Sequence, residues 1–387
     1  MNFLSIEWFS IIVATVSLYW IIPANLRQGL IILLTLLFLV LVSPESAGIL
    51  IFFALVTYYL TSGSTVSGLR TILALVVVLG TLAYFKVRFF SAGGLAGDII
   101  ENFAIPLGLS YYSFRCAHFI FERYRNTVAQ PGLVDFFGYL FFLPTIVVGP
   151  INRFQEYVDE LTRVTWRAAR LSDGLERILF GYFKVAVLGY FLVNGSLGDF
   201  IAGIEPNNEA LRLYLKIVQD GLLLYFLFAG FSDIAIGFSL LLGIRVMENF
   251  NWPYLQKNIS DFWRGWHISL SSWCRDYVYF PVMGATRNPY LATLATFTAI
   301  GLWHEISPRY IIWGLYHGVG ILIWRRFQGI KRKYCPKWCS LPVPAATLST
   351  LSILFTVHFV FFSLVIVNQP NFASVLDVYS TVLLFWW

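Results

Sequence analysis

Long runs without a charged residue recur along this chain and constrain its fold more than any other feature. They cover residues 9–26, 28–44, 46–69, 71–85, 185–198, 288–303, 310–324 and 338–376. A helix that spans a bilayer needs about 20 mostly apolar residues, and fewer where neighbouring helices bury it. Splitting the last run at its proline-rich start, we predict an all-α polytopic membrane protein with roughly ten to twelve membrane helices. Several runs are short or interrupted, which indicates re-entrant or half-spanning helices.

The composition and the placement of charge agree with a membrane protein. Of the 387 residues, 58% are hydrophobic and only 12% are charged, whereas an average soluble domain is about 25% charged. The net charge is +6, but the basic residues concentrate in short loops beside apolar runs, which is the orientation signal of membrane proteins. The basic cluster without an acid comprises Arg325, Arg326, Lys331, Arg332, Lys333 and Lys337. We place it in the cytoplasm, and predict a multi-pass protein of the cytoplasmic membrane that contacts lipid and no nucleic acid.

The cysteines and the N-terminus indicate neither a metal site nor a disulfide framework nor a cleaved leader. Cys116 and Cys274 lie far apart in apolar surroundings. Cys335 and Cys339 flank a Pro-Lys-Trp segment, but no second His or Cys pair stands nearby to complete four ligands. The first 22 residues lack a basic n-region and a small-residue cleavage site, so we expect them to be retained as a span.

Two groups of polar residues interrupt apolar stretches in the first two thirds of the chain. Arg115, His118 and Glu122 share one face of a helix-like stretch, and we favour an internally satisfied polar stripe over a polar cavity. Asp233 lies between apolar runs, where it caps or hydrogen-bonds a broken helix or else lines a water-filled cavity. Pro and Gly residues between 144 and 150 predict another broken helix, followed by a loop.

Residues 261–317 hold the densest group of candidate functional side chains, with three of the five histidines and five of the 13 tryptophans. Ionisable groups at membrane depth are costly, so a cluster of them predicts a functional site. The Trp-Arg-Gly-Trp-His segment at 263–267 is typical of an interfacial anchor, but an anchor does not require His267. A lone histidine at the end of an apolar helix, such as His304, is more often a packed core residue. With His267, Glu305 and His317 in the same region, we favour a functional role.

Seven short motifs follow one another in a consistent order along most of the chain. They occupy residues 106–114, 148–154, 231–237, 248–254, 262–273, 275–281 and 301–304. In this order and spacing the chain resembles the membrane-bound O-acyltransferase (MBOAT) family, and within it the bacterial polysaccharide O-acetyltransferases similar to the alginate acetylation protein. It departs from the usual family pattern at Gly265, where a second Arg is usual, at 283–285, where Gly-Gly is usual, and at Glu305, where Gly is usual. These departures bear on substrate and partner specificity more than on reaction type.

The resemblance implies a fold of many helices enclosing a central tunnel, with an acyl donor that enters from the cytoplasmic side. We therefore predict a single MBOAT membrane domain over residues 1–387. Its parts are N-terminal helices at 1–90, with about four spans broken at Pro23, Ser43-Pro44 and Ser62-Gly63, a catalytic core at 100–325, and C-terminal helices at 338–387.

The resemblance also implies the reaction and its principal residues. The position of His304 is that of the family's catalytic histidine, and the position of His267 is that of a second functional histidine. The implied reaction moves an acetyl group from acetyl-CoA or another acyl thioester, used as a substrate and not as a bound cofactor, to a hydroxyl of a cell-envelope or secreted polysaccharide. Transfer is direct or passes through an extracytoplasmic partner protein.

A positioned imidazole suits this chemistry, because its pKa of about 6.5 lets it take the proton of an attacking hydroxyl near neutral pH. We expect His304 to be this general base and His267 to orient the donor carbonyl or the acceptor. Arg264 and Arg275 either attract coenzyme A phosphates or anchor to lipid headgroups, and both interpretations stay open. The further candidates for substrate or donor binding are Trp263, Arg264, Trp266, Arg275, Asp276, Tyr277, Trp303, Glu305, His317 and Asp233.

Two other functions remain as alternatives. Within the same family, the chain could transfer D-alanine from a carrier protein to teichoic acid. Outside it, a polytopic transporter or flippase of envelope precursors would use the same polar residues to line a pathway. That alternative predicts paired inverted repeats with matching unwound segments, and the sequence contains no repeat of this type.

Overall fold

A computed structural model describes residues 6–91, 105–334 and 344–384, and every regular element in these ranges is helical. This confirms the predicted all-α class. Lys337 and the Cys335 and Cys339 pair fall outside the described residues. The chain divides into two compact units, of which the first comprises Met1–Tyr182 with Gly230–Glu248 and the second Phe183–Ala229 with Asn249–Trp387. The single-domain organisation remains a prediction.

The first unit begins with four apolar helices and continues with four shorter or more polar ones. They are α1 Ile6–Ile21, α2 Arg27–Val42, α3 Pro44–Leu60, α4 Gly68–Ser91, α5 Leu109–Tyr124, α6 Leu133–Leu140, α7 Phe154–Leu161 and α8 Ala168–Tyr182. The breaks among α1 to α4 confirm those predicted at Pro23, Ser43-Pro44 and Ser62-Gly63. At the second break, the Ser43 side chain accepts the Ser46 N–H and Pro44 occupies the first turn of α3, a favourable start for a helix.

The second unit carries the remaining helices. They are α9 Leu197–Ala202, α10 Glu209–Leu241, α11 Ile259–Gly265, α12 Ile268–Cys274, α13 Phe280–Thr286, α14 Pro289–His304, α15 Pro308–Tyr334, α16 Ala345–Asn368 and α17 Phe372–Leu384. The last part of α10, from Gly230, belongs to the first unit. Two segments adopt the wider π-helical turn, Phe183–Ser196 and Arg275–Tyr279.

In the described residues, five helical segments are long and apolar enough to cross a membrane. They are Ala24–Val42, Gly68–Val87, Ala168–Ala202, Pro206–Leu241 and Ala345–Asn368. Shorter apolar helices occur at Ile6–Ile21, Pro44–Leu60, Leu133–Thr145 and Phe372–Leu383. Many apolar helices of mixed length agree with the predicted polytopic architecture, while the total of ten to twelve membrane helices remains a prediction.

The side chains of the polar stripe on α5 have their partners inside the first unit, in agreement with the prediction. The Arg115 guanidinium is fully buried and donates to the backbone oxygens of Leu140 and Thr145. His118 Nε2 accepts the Phe154 N–H at 3.0 Å, and Glu122 pairs with Arg125 at 3.6 Å. Since Leu140 ends α6 and Phe154 begins α7, these bonds hold the irregular segment between them and confirm the broken helix predicted there.

Asp233 lies within an uninterrupted helix, so the prediction that it caps a broken one is wrong. Its carboxylate accepts from Arg177 on α8 at 2.7 Å, and the same guanidinium also pairs with Glu248. A cationic partner from a neighbouring helix therefore satisfies the carboxylate without any opening of the α10 backbone. The pair forms because α8 and α10 approach very closely in the first unit.

Glycines on α8 and α10 permit this approach. A Cβ atom at Gly181 would lie 2.7 Å from both the Gly230 oxygen and Ile234 Cγ1, and one at Gly237 would lie 2.7 Å from the Gly174 oxygen. Small residues that bring backbones together are a common means of packing membrane helices, since lipid provides no hydrophobic driving force between them.

We expect Gly181→Ala to lower the stability of the protein by about 1–3 kcal/mol, because the added methyl group must displace α10. The matched control is Gly80→Ala in α4, where a Cβ atom meets nothing within 4 Å. Thermal unfolding in detergent measures both variants. A Gly181→Ala protein as stable as the control would show that the close approach does not contribute to folding.

Candidate active site

The antiparallel pair of α14 and α15 positions His304, one of the two predicted catalytic residues, in the second unit. A Cβ atom at Gly301 would collide with the backbone oxygen of Tyr310, and one at Gly314 with that of Phe297. The two backbones therefore touch at both positions. His304, at the end of α14, consequently lies beside the first turns of α15.

A cavity of about 180 Å³ in this unit contains both predicted catalytic histidines. His267 and His304 line it together with Trp263, Trp266 and His317. Most of the remaining lining consists of aromatic and aliphatic side chains from α10, α15 and α16 and from residues 254–270. We call it the histidine cavity. Five of the predicted site residues therefore line one cavity, while their roles remain predictions.

Aromatic rings fix the orientation of the His304 imidazole. Its centroid lies 4.6 Å from that of Trp303, 5.3 Å from Trp313 and 5.6 Å from Tyr310, and the Tyr310 ring lies within 24° of parallel. Trp303 also packs against His267 at 5.7 Å and so lies between the two histidines. The cavity therefore presents imidazole groups on a rigid aromatic surface, an arrangement suited to positioned proton transfer.

Hydrogen bonding defines which nitrogen of His267 carries a proton. His267 Nδ1 accepts the Leu270 N–H at 3.3 Å. A neutral imidazole whose Nδ1 is an acceptor carries its hydrogen on Nε2. The His267 side chain is 1% exposed, and its Nε2 has no hydrogen-bond partner among the described residues. The side chain that lines the cavity thus carries a buried N–H without a protein acceptor.

His267 adopts a left-handed backbone conformation, with φ of 43°, at the start of α12. Such a conformation in a residue other than glycine costs on the order of 1–3 kcal/mol and persists only where neighbours enforce it. The fully buried Asn249 does so, since its backbone oxygen accepts the Ile268 N–H at 2.9 Å and its side-chain oxygen accepts the Ser269 hydroxyl at 2.9 Å. Asn249 lies in the motif at 248–254, but sequence reasoning did not predict its positioning role.

His317 uses both of its nitrogens in a hydrogen-bonded chain. The Trp263 indole N–H donates to His317 Nδ1 at 3.3 Å, and His317 Nε2 lies 3.0 Å from Ser363 Oγ. An indole can only donate, so His317 Nδ1 is the acceptor and Nε2–H donates to the serine. Ser363 also accepts the Trp313 indole N–H at 3.2 Å and donates to the Val360 oxygen at 2.6 Å. His317 therefore positions Trp263. Sequence reasoning also missed Ser363, because a serine within an apolar run carries no distinctive local signal.

A second cavity, of about 410 Å³, is lined by three arginines. Arg264 pairs with Asp261 and Arg275 with Asp276, both at 2.8 Å, while Arg325 donates to the Thr293 hydroxyl at 3.3 Å. Ser260, Ser271, Ser272 and Thr296 add further hydroxyl groups to the lining. We call it the arginine cavity. Its charge and hydrogen-bond donors suit an anionic ligand such as a phosphate ester.

The two cavities follow one another along α15. Trp313 and His317 line the histidine cavity, whereas Ile321 and Arg325 line the arginine cavity. Eight residues separate His317 from Arg325, a rise of about 12 Å along the helix. The arginine cavity therefore adjoins the basic end of α15, which we predict to face the cytoplasm.

The other predicted site residues have mainly structural contacts. Asp276 pairs with Arg275, and Tyr277 packs on Trp273 at 4.9 Å. Glu305 is buried, and its carboxylate pairs with Arg309 at 3.3 Å. Like Asp233 of the first unit, these three acidic or phenolic side chains do not line either cavity. Within the described ranges, no group of three or more His, Cys, Asp or Glu side chains is arranged to hold a metal ion.

Comparison with known proteins identifies one matching family and several curated relatives. The sequence profile of "MBOAT, membrane-bound O-acyltransferase family" matches residues 63–367. The probable alginate O-acetylase AlgI of Pseudomonas aeruginosa is 34% identical over 300 residues, which cover 72% of this chain and 56% of that protein. The chain thus spans little more than half the length of this relative.

Two further relatives differ in their named acyl groups or acceptors. The teichoic acid D-alanyltransferase of Bacillus subtilis is 32% identical over 288 residues, which cover 70% of this chain and 71% of that protein. The peptidoglycan O-acetyltransferase of Helicobacter pylori is 25% identical over 373 residues, which cover 87% of this chain and 69% of that protein.

The Ser363 network generates a stability prediction. We expect Ser363→Ala to destabilise the protein by about 1–3 kcal/mol, because it removes the acceptor of both the His317 and the Trp313 N–H groups. Ser352→Ala is the matched control, since Ser352 lies on the same helix, is partly exposed and its hydroxyl donates to the Leu348 oxygen of its own helix. Thermal unfolding of the two variants in the same detergent checks the difference. Equal melting temperatures would contradict the network's contribution.

Proposed function

Because the chain belongs to the membrane-bound O-acyltransferase family, we propose that it transfers an acetyl group from a cytoplasmic thioester to a hydroxyl group of a cell-envelope or secreted polysaccharide. Transfer is direct or passes through an extracytoplasmic partner protein. The observation that carries this proposal is the histidine cavity, where His267 and His304 meet next to an arginine-lined cavity. Since the matching family consists of O-acyltransferases, we set aside the alternative that the chain is a transporter or flippase.

In the proposed reaction, His304 is the general base. It takes the proton of the acceptor hydroxyl while that oxygen forms a bond to the thioester carbon. The C–S bond then breaks, and the proton passes from His304 to the departing thiolate. General-base assistance of this kind contributes about 10²–10⁴-fold to the rate. The packing of the imidazole against the aromatic rings of Trp303, Tyr310 and Trp313 supports this role, because it fixes the orientation of the imidazole.

His267 supplies the complementary function. During attack the carbonyl oxygen of the thioester acquires negative charge, and a preorganised N–H donor stabilises it. The buried Nε2–H of His267 is such a donor, since Nδ1 is occupied by the Leu270 N–H. We predicted that His267 orients either the donor carbonyl or the acceptor. The hydrogen bond at its Nδ1 supports the first of these roles.

The arginine cavity supports a phosphate-bearing donor such as acetyl-CoA, used as a substrate. Guanidinium groups bind phosphate through paired, charge-assisted hydrogen bonds. Arg264 and Arg275 are 78% and 59% exposed in their side chains, so an incoming phosphate group can reach them. We propose that the donor binds here with its thioester directed towards the histidine cavity, so that the two cavities are successive parts of the predicted tunnel.

D-alanyl transfer to teichoic acid is the second candidate, because the Bacillus subtilis relative is named for that reaction. A D-alanyl group carries an ammonium ion, which is costly to bury without an opposite charge. Among the described residues that line the histidine cavity there is no Asp or Glu. A neutral acetyl group needs no such partner, so the lining favours acetyl transfer.

The membrane location follows from the same proposal. We propose that the enzyme lies in the cytoplasmic membrane of a bacterium, with the basic end of α15 in the cytoplasm. Bacterial relatives support the location, and the concentration of Arg and Lys residues at that helix end supports the orientation.

We expect membranes with His304→Ala to transfer no detectable label from acetyl-labelled coenzyme A to envelope glycan or a co-expressed partner protein, because the base is lost. Membranes with the unaltered protein at matched levels should transfer it. His358→Ala is the control, since His358 bonds to Tyr214 and does not line the histidine cavity. Equal transfer by His304→Ala and the control would remove His304 from the mechanism. Labelling with a D-alanyl carrier but not with acetyl-CoA would favour the second candidate.

Substitutions at His267 test its role as a donor. His267→Phe preserves an aromatic ring and lacks the N–H, so we expect transfer to fall about 10²–10³-fold, the usual effect of losing one donor to a developing oxyanion. His267→Gln retains an amide N–H and should keep more activity than the Phe variant at matched levels of folded protein. Equal activity of the two variants would contradict hydrogen bonding to the carbonyl.

A further inference from the structure

Trp263 is the one side chain that lines both the histidine cavity and the arginine cavity as the structure describes them. It is 7% exposed and lies on α11, next to Arg264, one of the arginines of the second cavity. A side chain that contributes to the walls of two adjacent cavities separates them.

The rings around Trp263 belong to both cavities. Its centroid lies 4.9 Å from that of Phe297, which lines the arginine cavity. It lies 5.2 Å from His317 and 6.0 Å from Trp313, which line the histidine cavity. Removal of the indole would therefore join two spaces of about 410 and 180 Å³.

A hydrogen bond of the indole holds the Trp263 ring between the two cavities. The Trp263 N–H donates to His317 Nδ1, and the His317 ring is fixed in turn through Nε2 and Ser363. The bond to His317 joins two neutral groups at 3.3 Å, near the upper end of the normal range, so it is weaker than a charge-assisted bond. Such a contact holds a ring in place and still allows it to swing aside.

We propose that Trp263 is a gate between the two cavities, latched by His317 and Ser363, which opens when the arm of a thioester donor passes from the arginine cavity to His304. The proposal rests on the proposed function, because it requires the donor to enter through the arginine cavity. In the closed position the indole also separates His304 from water in the more open arginine cavity.

The gate has a chemical consequence for the donor. If water reaches the thioester beside His304, its oxygen bonds to the carbonyl carbon, the C–S bond breaks, and the products are a carboxylic acid and a free thiol. Exclusion of water is a general means of preventing such a side reaction. Loss of the gate should therefore raise hydrolysis relative to transfer, whereas general damage to the fold would lower both together.

A cysteine at position 270 tests the gate without any acyl transfer. Leu270 lines the histidine cavity and not the arginine cavity. Leu270→Cys is combined with Cys335→Ser and Cys339→Ser in inside-out vesicles, and labelling by a charged methanethiosulfonate reagent is followed over time. We expect Trp263→Ala to speed labelling by at least about tenfold, since a minor open state is populated at roughly 0.1–10%. Equal labelling rates with Trp263 and with Trp263→Ala would overturn the gate.

Trp263→Phe distinguishes the effect of the aromatic ring from that of the hydrogen bond to His317. It keeps an aromatic side chain between the two cavities and lacks the indole N–H. Its labelling rate should lie between those of the unaltered side chain and Trp263→Ala, and a rate equal to that of the unaltered side chain would overturn the latch.

In membranes active in transfer, Trp263→Ala should raise the ratio of donor hydrolysis to transfer, and an unchanged ratio would argue against water exclusion. If the unaltered protein transfers no acyl group, the proposed function fails, while the labelling rates still decide whether Trp263 is a gate.

Discussion

The backbone contact between α14 and α15 is the constraint on which the candidate site depends. Gly301 and Gly314 leave no room for a side chain between the two helices. This approach places His304 against Tyr310 and Trp313, and it gives one face of α15 access to both cavities. A larger residue at either glycine would move the histidine away from the rings that orient it.

Several buried polar groups in both units are bonded to specific protein partners rather than to solvent. In the first unit, backbone oxygens accept from Arg115, and Arg177 pairs with Asp233. In the second, His317, Ser363 and Trp263 form one hydrogen-bonded chain. Since an unsatisfied polar group is expensive in an apolar environment, these bonds stabilise the observed arrangement of each side chain. His267 Nε2 is one of the buried atoms without a hydrogen-bond partner among the described residues, and it is the group to which we assign a function.

The sequence predicted features that depend on local pattern. Proline and glycine breaks correctly separated α1 to α4 and placed the irregular segment before α7. Clustered ionisable residues and the family motifs pointed to the region that contains His267, His304, Trp263, Trp266 and His317, which line one cavity. The predicted break at Asp233 was wrong, because a partner on another helix satisfies the carboxylate and the backbone need not open. That partner lies 56 residues away in the chain, beyond the reach of a local pattern.

The sequence by itself determined that this protein is helical, membrane-embedded and an O-acyltransferase, because hydropathy, helix breaks and motif spacing are properties of the linear chain. Only the tertiary structure decided which nitrogen of His267 carries a hydrogen, that Asn249 and Ser363 position the histidines, and that Trp263 lies between two cavities. These features depend on hydrogen bonds such as those linking His317 to Trp263 and Ser363, which lie 54 and 46 residues away. The physical reason is that such partners meet only after the helices have packed.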